Sequence, residues 1–77
     1  MFEFDISLHS VQQVQQFVDL SARQSFSVRV GNSWQQINGK DFMCMFSLDY
    51  SQPVRVSLQC TQEEYLRFRQ EAAPFLV

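Results

Sequence analysis

Few side chains in this sequence have the chemistry for catalysis or ligand binding. The single histidine, His9, stands one residue ahead of Ser10, where a run with helical apolar spacing begins. It continues the polar set Glu3, Asp5 and Ser7, and no arginine lies near it in sequence, so it reads first as a solvated surface imidazole. Ser10 and Gln13 form a Ser-x-x-Gln capping pattern, which gives Ser10 a sufficient structural task as an N-cap. Asp41 stands at a second helix start, where a carboxylate caps well and meets the positive end of the helix dipole. Cys44 and Cys60 are separated and lie in apolar surroundings. They read as buried thiols of a reducing compartment rather than a disulfide framework. One histidine and two distant cysteines do not match metal-ligand spacing, so no metal and no cofactor is expected. No glycine-rich phosphate loop and no Ser/His/Asp set is found.

The elements that must carry these residues are legible from periodicity. Phe2, Phe4, Ile6 and Leu8 alternate with polar residues, as a half-buried strand does. Val11, Val14, Phe17, Val18 and Ala22 then line one face of a helix. Phe26, Val28 and Val30 form a second strand, Gly31-Asn32 a tight turn, and Trp34 to Ile37 a short third strand. Asn38-Gly39 ends it, and Asp41 opens a short helical stretch over Phe42 to Leu48. Val54, Val56, Leu58 and Cys60 alternate in a fourth strand, and Thr61-x-x-Glu64 is a capping box. That box opens a last helix with Tyr65, Leu66, Phe68, Ala72 and Phe75, expected to fray at Pro74. The order is β-α-β-β-α-β-α in a single domain, residues 1–77. The expected class is α+β, a four-stranded antiparallel sheet covered on one face by helices. Phe2, Phe4, Ile6, Leu8, Phe26, Val28, Val30, Val56 and Leu58 are expected to point into the covered face.

Composition narrows the function classes. Eight Phe among 77 residues are ample for a core. The formal net charge is −2, with six scattered basic residues, which disfavours nucleic acid as a partner. No apolar run is long enough to cross a bilayer, so no membrane partner is expected. Glu3 and Asp5 do not suit a secretory signal, so a cytoplasmic setting is expected.

The order and several segments resemble HPr, the histidine-containing phosphocarrier of the bacterial sugar phosphotransferase system. The resemblance spans nearly the whole chain. It rests on Phe17-Val18 in the first helix, Lys40-Asp41 before the short helix, and Phe46-Ser47-Leu48-Asp49 at its end. It implies an open-faced β-sandwich. In the family the first helix opens with His-x-Arg-Pro. Anchored on Phe17-Val18, those positions fall on Ser10, Gln12 and Gln13, so the phosphoryl acceptor and its guanidinium fork are missing. A one-residue insertion in the helix would instead align Leu8-His9 with the family's Leu-His pair, leaving His9 as an alternative acceptor. Gram-positive members carry a regulatory serine where this chain has Asp41, so the carboxylate reads either as a plain cap or as a partial, fixed mimic of the phosphorylated state. Phe42, Met43 and Phe46 fall where the family presents an apolar docking surface. The short helix has only one inward face, so part of this run is expected to be exposed.

The expectation is a non-enzymatic regulatory module that binds a protein partner, among phosphotransferase or carbon-regulation components. The alternatives are an active phosphocarrier using His9 and a small-molecule-binding regulatory domain.

Overall fold

A computed structural model describes residues 1–32 and 35–77. Strand β1 (Phe2–Ile6) leads into helix α1 (Val11–Ala22), followed by β2 (Ser27–Gly31) and β3 (Gln36–Asn38). Helix α2 (Phe42–Met45), β4 (Val54–Gln59), helix α3 (Gln62–Glu71) and a 3-10 turn (Ala73–Phe75) complete the chain. All pairings are antiparallel and the sheet order is β1-β4-β2-β3. Trp34, the expected start of the third strand, lies outside the described residues; Gln36 to Asn38 form its described part. Gly31 is required where it stands, because a Cβ there would lie 1.9 Å from the Gln35 carbonyl oxygen.

The register puts like with like across the sheet. Phe4 faces Val56 and Val56 faces Val30, while Phe2 and Val28 both face Leu58. These residues and Ile6 turn toward the helices, and Ile6, Val28, Val30, Val56 and Leu58 are at most 1% exposed. Phe2, Phe4 and Phe26 are half-buried at the margin. The other face stays open and polar: Arg55 Nε donates to Asp5 Oδ1 at 3.1 Å, and Ser57 Oγ to Glu3 Oε2 at 3.1 Å.

Phe68 of α3 is the hub of an aromatic cluster. It meets Phe17 edge-on with centroids 6.0 Å apart, and Phe4 and Phe26 lie at 6.1 and 6.0 Å. The buried stripe of α1 is Val14, Phe17, Val18, Leu20 and Ser21, with Ser21 Oγ donating to the Phe17 carbonyl at 2.9 Å. Val11 and Ala22, expected in that stripe, are exposed instead. At about 100° per residue both fall on one flank, roughly a quarter turn from the middle of the stripe.

The α3 capping box forms as expected: Thr61 N–H donates to Glu64 Oε1 at 3.0 Å, and Glu64 N–H to Thr61 Oγ1 at 3.2 Å. The end of the chain does not fray at Pro74. Proline is tolerated in the first turn of the 3-10 segment, where its missing N–H is not needed. Beyond it, the Phe75 carbonyl accepts from Ser7 N–H at 2.7 Å and Leu76 bridges to Ile6. This strap covers the end of the β1 edge and holds Phe75 at 6% exposure.

Candidate functional site

The β1–α1 connection carries His9 and Ser10. Ser10 is extended and caps α1, its Oγ accepting from Gln13 N–H at 3.1 Å. The reciprocal bond of a capping box is displaced by one residue: Gln13 Oε1 accepts from His9 N–H, at 2.6 Å, rather than from Ser10. The imidazole is exposed, with Nε2 hydrogen-bonded to Ser7 Oγ at 3.1 Å. Ser7 is itself fixed through its N–H to the C-terminal strap. Gln12 is exposed in the first turn of α1.

Asp41 caps α2, its Oδ1 accepting from the N–H of Met43 at 3.0 Å and of Cys44 at 3.2 Å. The Cys44 N–H, foremost, holds this carboxyl below its usual value. The same carboxylate, as a hydrogen-bond partner, pushes the Cys44 thiol up. Cys60 is pushed up as well, first by burial. Both thiols are half-buried and free, rather than fully buried. Lys40 is turned away from the helix start, its Nζ donating to the Gln24 carbonyl at 2.8 Å.

After one α-helical turn, α2 tightens into i→i+3 bonds: Phe46 N–H to Met43 O, Ser47 to Cys44, Leu48 to Met45. Met45 and Leu48 point inward at 0% and 8% exposure. Met43 and Phe46 face out at 76% and 47%, and Phe42 is half-buried with its ring 4.6 Å from that of Phe46.

An open groove of about 410 Å³ lies between the start of α1 and the end of α2. Leu8, His9, Ser10, Val11 and Val14 form one wall, and Phe46, Tyr50 and Ser51 the other. Of the residues singled out in the sequence, His9, Ser10 and Phe46 come together here, while Gln12, Asp41, Phe42 and Met43 are not among the lining residues. Val11, Tyr50 and Ser51 belong to the site and carry no functional signal in the sequence. Tyr50 Oη donates to the Met45 carbonyl at 2.5 Å, and burial pushes the phenol up to about 12. No Lys or Arg lines the groove among the described residues. The site is therefore a largely apolar slot with one imidazole and the hydroxyls of Ser10, Tyr50 and Ser51 among its lining groups. It offers no planar cationic fork for phosphoryl oxygens.

Among the described residues, no group of three or more His, Cys, Asp and Glu side chains is placed to hold a metal ion. No described helix is long and apolar enough to cross a membrane.

No protein-family model matches the chain, and no curated protein matches it. A solved structure does: HPr-C-His from Thermoanaerobacter tengcongensis is similar with a TM-score of 0.73 and 25% identity. The match covers 94% of this chain and 90% of that one. The order βαββαβα, the β1-β4-β2-β3 sheet and this similarity together give the chain an HPr-like α+β fold, an open-faced sandwich with one face of the sheet under helices.

Proposed function

We propose that this chain is a non-catalytic, HPr-like regulatory module of the bacterial cytoplasm that acts by binding a protein, within phosphotransferase or carbon-regulation machinery. One observation carries the reading: the groove at the start of α1 has apolar walls and no described cation, while Ser10, at the family's histidine position, is engaged as a helix cap. A site so lined favours an apolar side chain over a phosphoryl group. The exposure of Val11, Met43 and Phe46 around the groove agrees with a docking face. Asp41 supplies a permanent carboxylate where Gram-positive members of the family have a switchable serine, which suits a module outside phosphorylation control. The test is incubation with enzyme I and labelled phosphoenolpyruvate. No transfer to the chain is expected, and acid-labile, base-stable label on it would overturn the reading.

A second reading is favoured by one geometric fact. His9 lines the groove, and the Ser7 hydroxyl engages its Nε2 and leaves Nδ1 without a bond among the described residues. An imidazole so held is a competent nucleophile for phosphoryl transfer. On this reading label appears in the same assay and is lost in His9→Ala.

A further inference from the structure

The charge around the groove specifies what kind of segment would dock there. Residues 41–52, which form α2 and the turn after it, contain Asp41 and Asp49 and no Lys, Arg or His. Residues 8–18, the opposite wall and its continuation, contain no Asp, Glu, Lys or Arg, and His9 is their one titratable side chain. Both carboxylates are exposed, and neither forms an ion pair among the described residues. Asp49 Oδ1 accepts from Ser51 N–H at 2.9 Å, which fixes it beside the groove lip. Backbone N–H donors hold both carboxyls below their usual range, so both are charged at neutral pH. Lys40, the nearest cation in sequence to Asp41, is committed to the Gln24 carbonyl. The patch is thus an apolar slot between Val11 and Phe46, with Asp49 bonded to a lining residue at its lip and Asp41 at the far end of α2, neither in an ion pair among the described residues.

We infer that the groove receives a large apolar side chain from a basic amphipathic helix of a partner protein, whose Lys or Arg residues face Asp41 and Asp49. This rests on the protein-binding reading above and adds the partner's chemistry to it. Apolar contact supplies the affinity, and the flanking carboxylates select the sign of the partner. An acidic helix meets repulsion from both carboxylates.

The test uses two short helical peptides of the same length, one of leucine and lysine and one of leucine and glutamate, titrated into the isotopically labelled chain. The expected result is that the lysine peptide shifts the backbone signals of Val11, Val14, Phe46 and Tyr50 saturably. The glutamate peptide should bind there about tenfold more weakly or worse. Asp41→Asn combined with Asp49→Asn keeps the cap and the turn. It should weaken the lysine peptide by roughly fivefold and flatten its salt dependence, the size expected for two exposed charges. Val11→Lys, at an exposed position, should abolish groove binding with an unchanged melting temperature. Equal binding of both peptides in the groove, or no effect of the double Asn variant, would overturn the basic-partner inference and leave the docking reading standing. Shifts confined to the open sheet face, or no saturable shift at all, would overturn both.

Discussion

The docking face depends on which way the short helix α2 is rotated, and one pair of substitutions decides it. Met43 and Met45 are two residues apart, about 200° around a helix, so one faces out if the other faces in. Met45 is 0% exposed with its Sδ 3.8 Å from Tyr50 Oη, while Met43 is 76% exposed. Met45→Ala removes a fully buried side chain and should cost about 2–5 kcal/mol. A chain of 77 residues has a total stability of only about 4–12 kcal/mol, so this is a large fraction of it. At about 4–8 °C per kcal/mol for this size, the melting temperature should fall by ~10 °C or more. Met43→Asp should stay within about 0.5 kcal/mol, or ~3 °C, because an exposed position tolerates charge. Any gain of the new carboxylate from the helix dipole is offset by Asp41 two residues away. Thermal melts followed by far-UV circular dichroism on both variants measure the difference. A fall with Met43→Asp as large as that with Met45→Ala would place Met43 in the core and refute the docking face. A Met45→Ala midpoint within 3 °C of the parent would mean the helix is rotated by half a turn.

Three further outcomes follow from the caps and the titrating groups. Asp41 has a folded value depressed below its ordinary 3.8, so its stabilising contribution is full above that pH and lost as pH falls through the lower folded value. Melting temperature against pH should therefore show a shallower acid limb in Asp41→Asn, which keeps a cap but does not titrate. Tyr50 is raised from 10.0 to about 12, so its contribution is full below pH 10 and is lost as pH rises through the folded value. Tyr50→Phe should remove that alkaline decline and cost about 1 kcal/mol at neutral pH through the lost bond to the Met45 carbonyl. Thr61→Ala should cost about 1 kcal/mol by removing the α3 cap, measured by urea unfolding at constant slope.

What the sequence reveals of this fold is where a local rule and the tertiary environment agree. The alternation in β1 and β4 survives because one face of the sheet is under helices and the other is open, so period two tracks burial except at Ser57, which is buried on the outward face beside Glu3. The starts of α1 and α3 are legible because caps are local hydrogen bonds between residues three or four apart. The inward face of α2 is not legible: Phe42, Met43, Cys44, Met45 and Phe46 are all apolar, so there is no contrast from which to read a face. Pro74 reads as a helix end because proline breaks α-helices. The bonds from Ser7 and Val77 that tie this segment to β1 join residues some 70 apart and leave no local trace. The groove has the same origin. Val11 lies at helical spacing from the core residues Val14 and Val18, and only its flank position and the approach of Phe46 and Tyr50 make it part of a surface site.

The cap at the start of α1 occupies the positions on which the His-x-Arg-Pro motif of HPr falls in the gapless alignment. The cap here uses Gln13 twice: its N–H donates to Ser10 Oγ, and its side chain accepts from His9 N–H. A proline at this position, as in the HPr motif that this chain lacks, has no N–H to give and no amide side chain to reach back. A histidine in place of Ser10 would lose the hydroxyl that accepts this bond. With Ser10 and Gln13, two donors at the helix start are satisfied by side chains of the chain itself. The helix start is therefore a closed local network of Ser10, Gln13 and the His9 N–H. What stays open around it is apolar: Val11 on one side and Phe46 on the other. On the proposed protein-binding reading, this surface serves as a contact rather than a reaction centre.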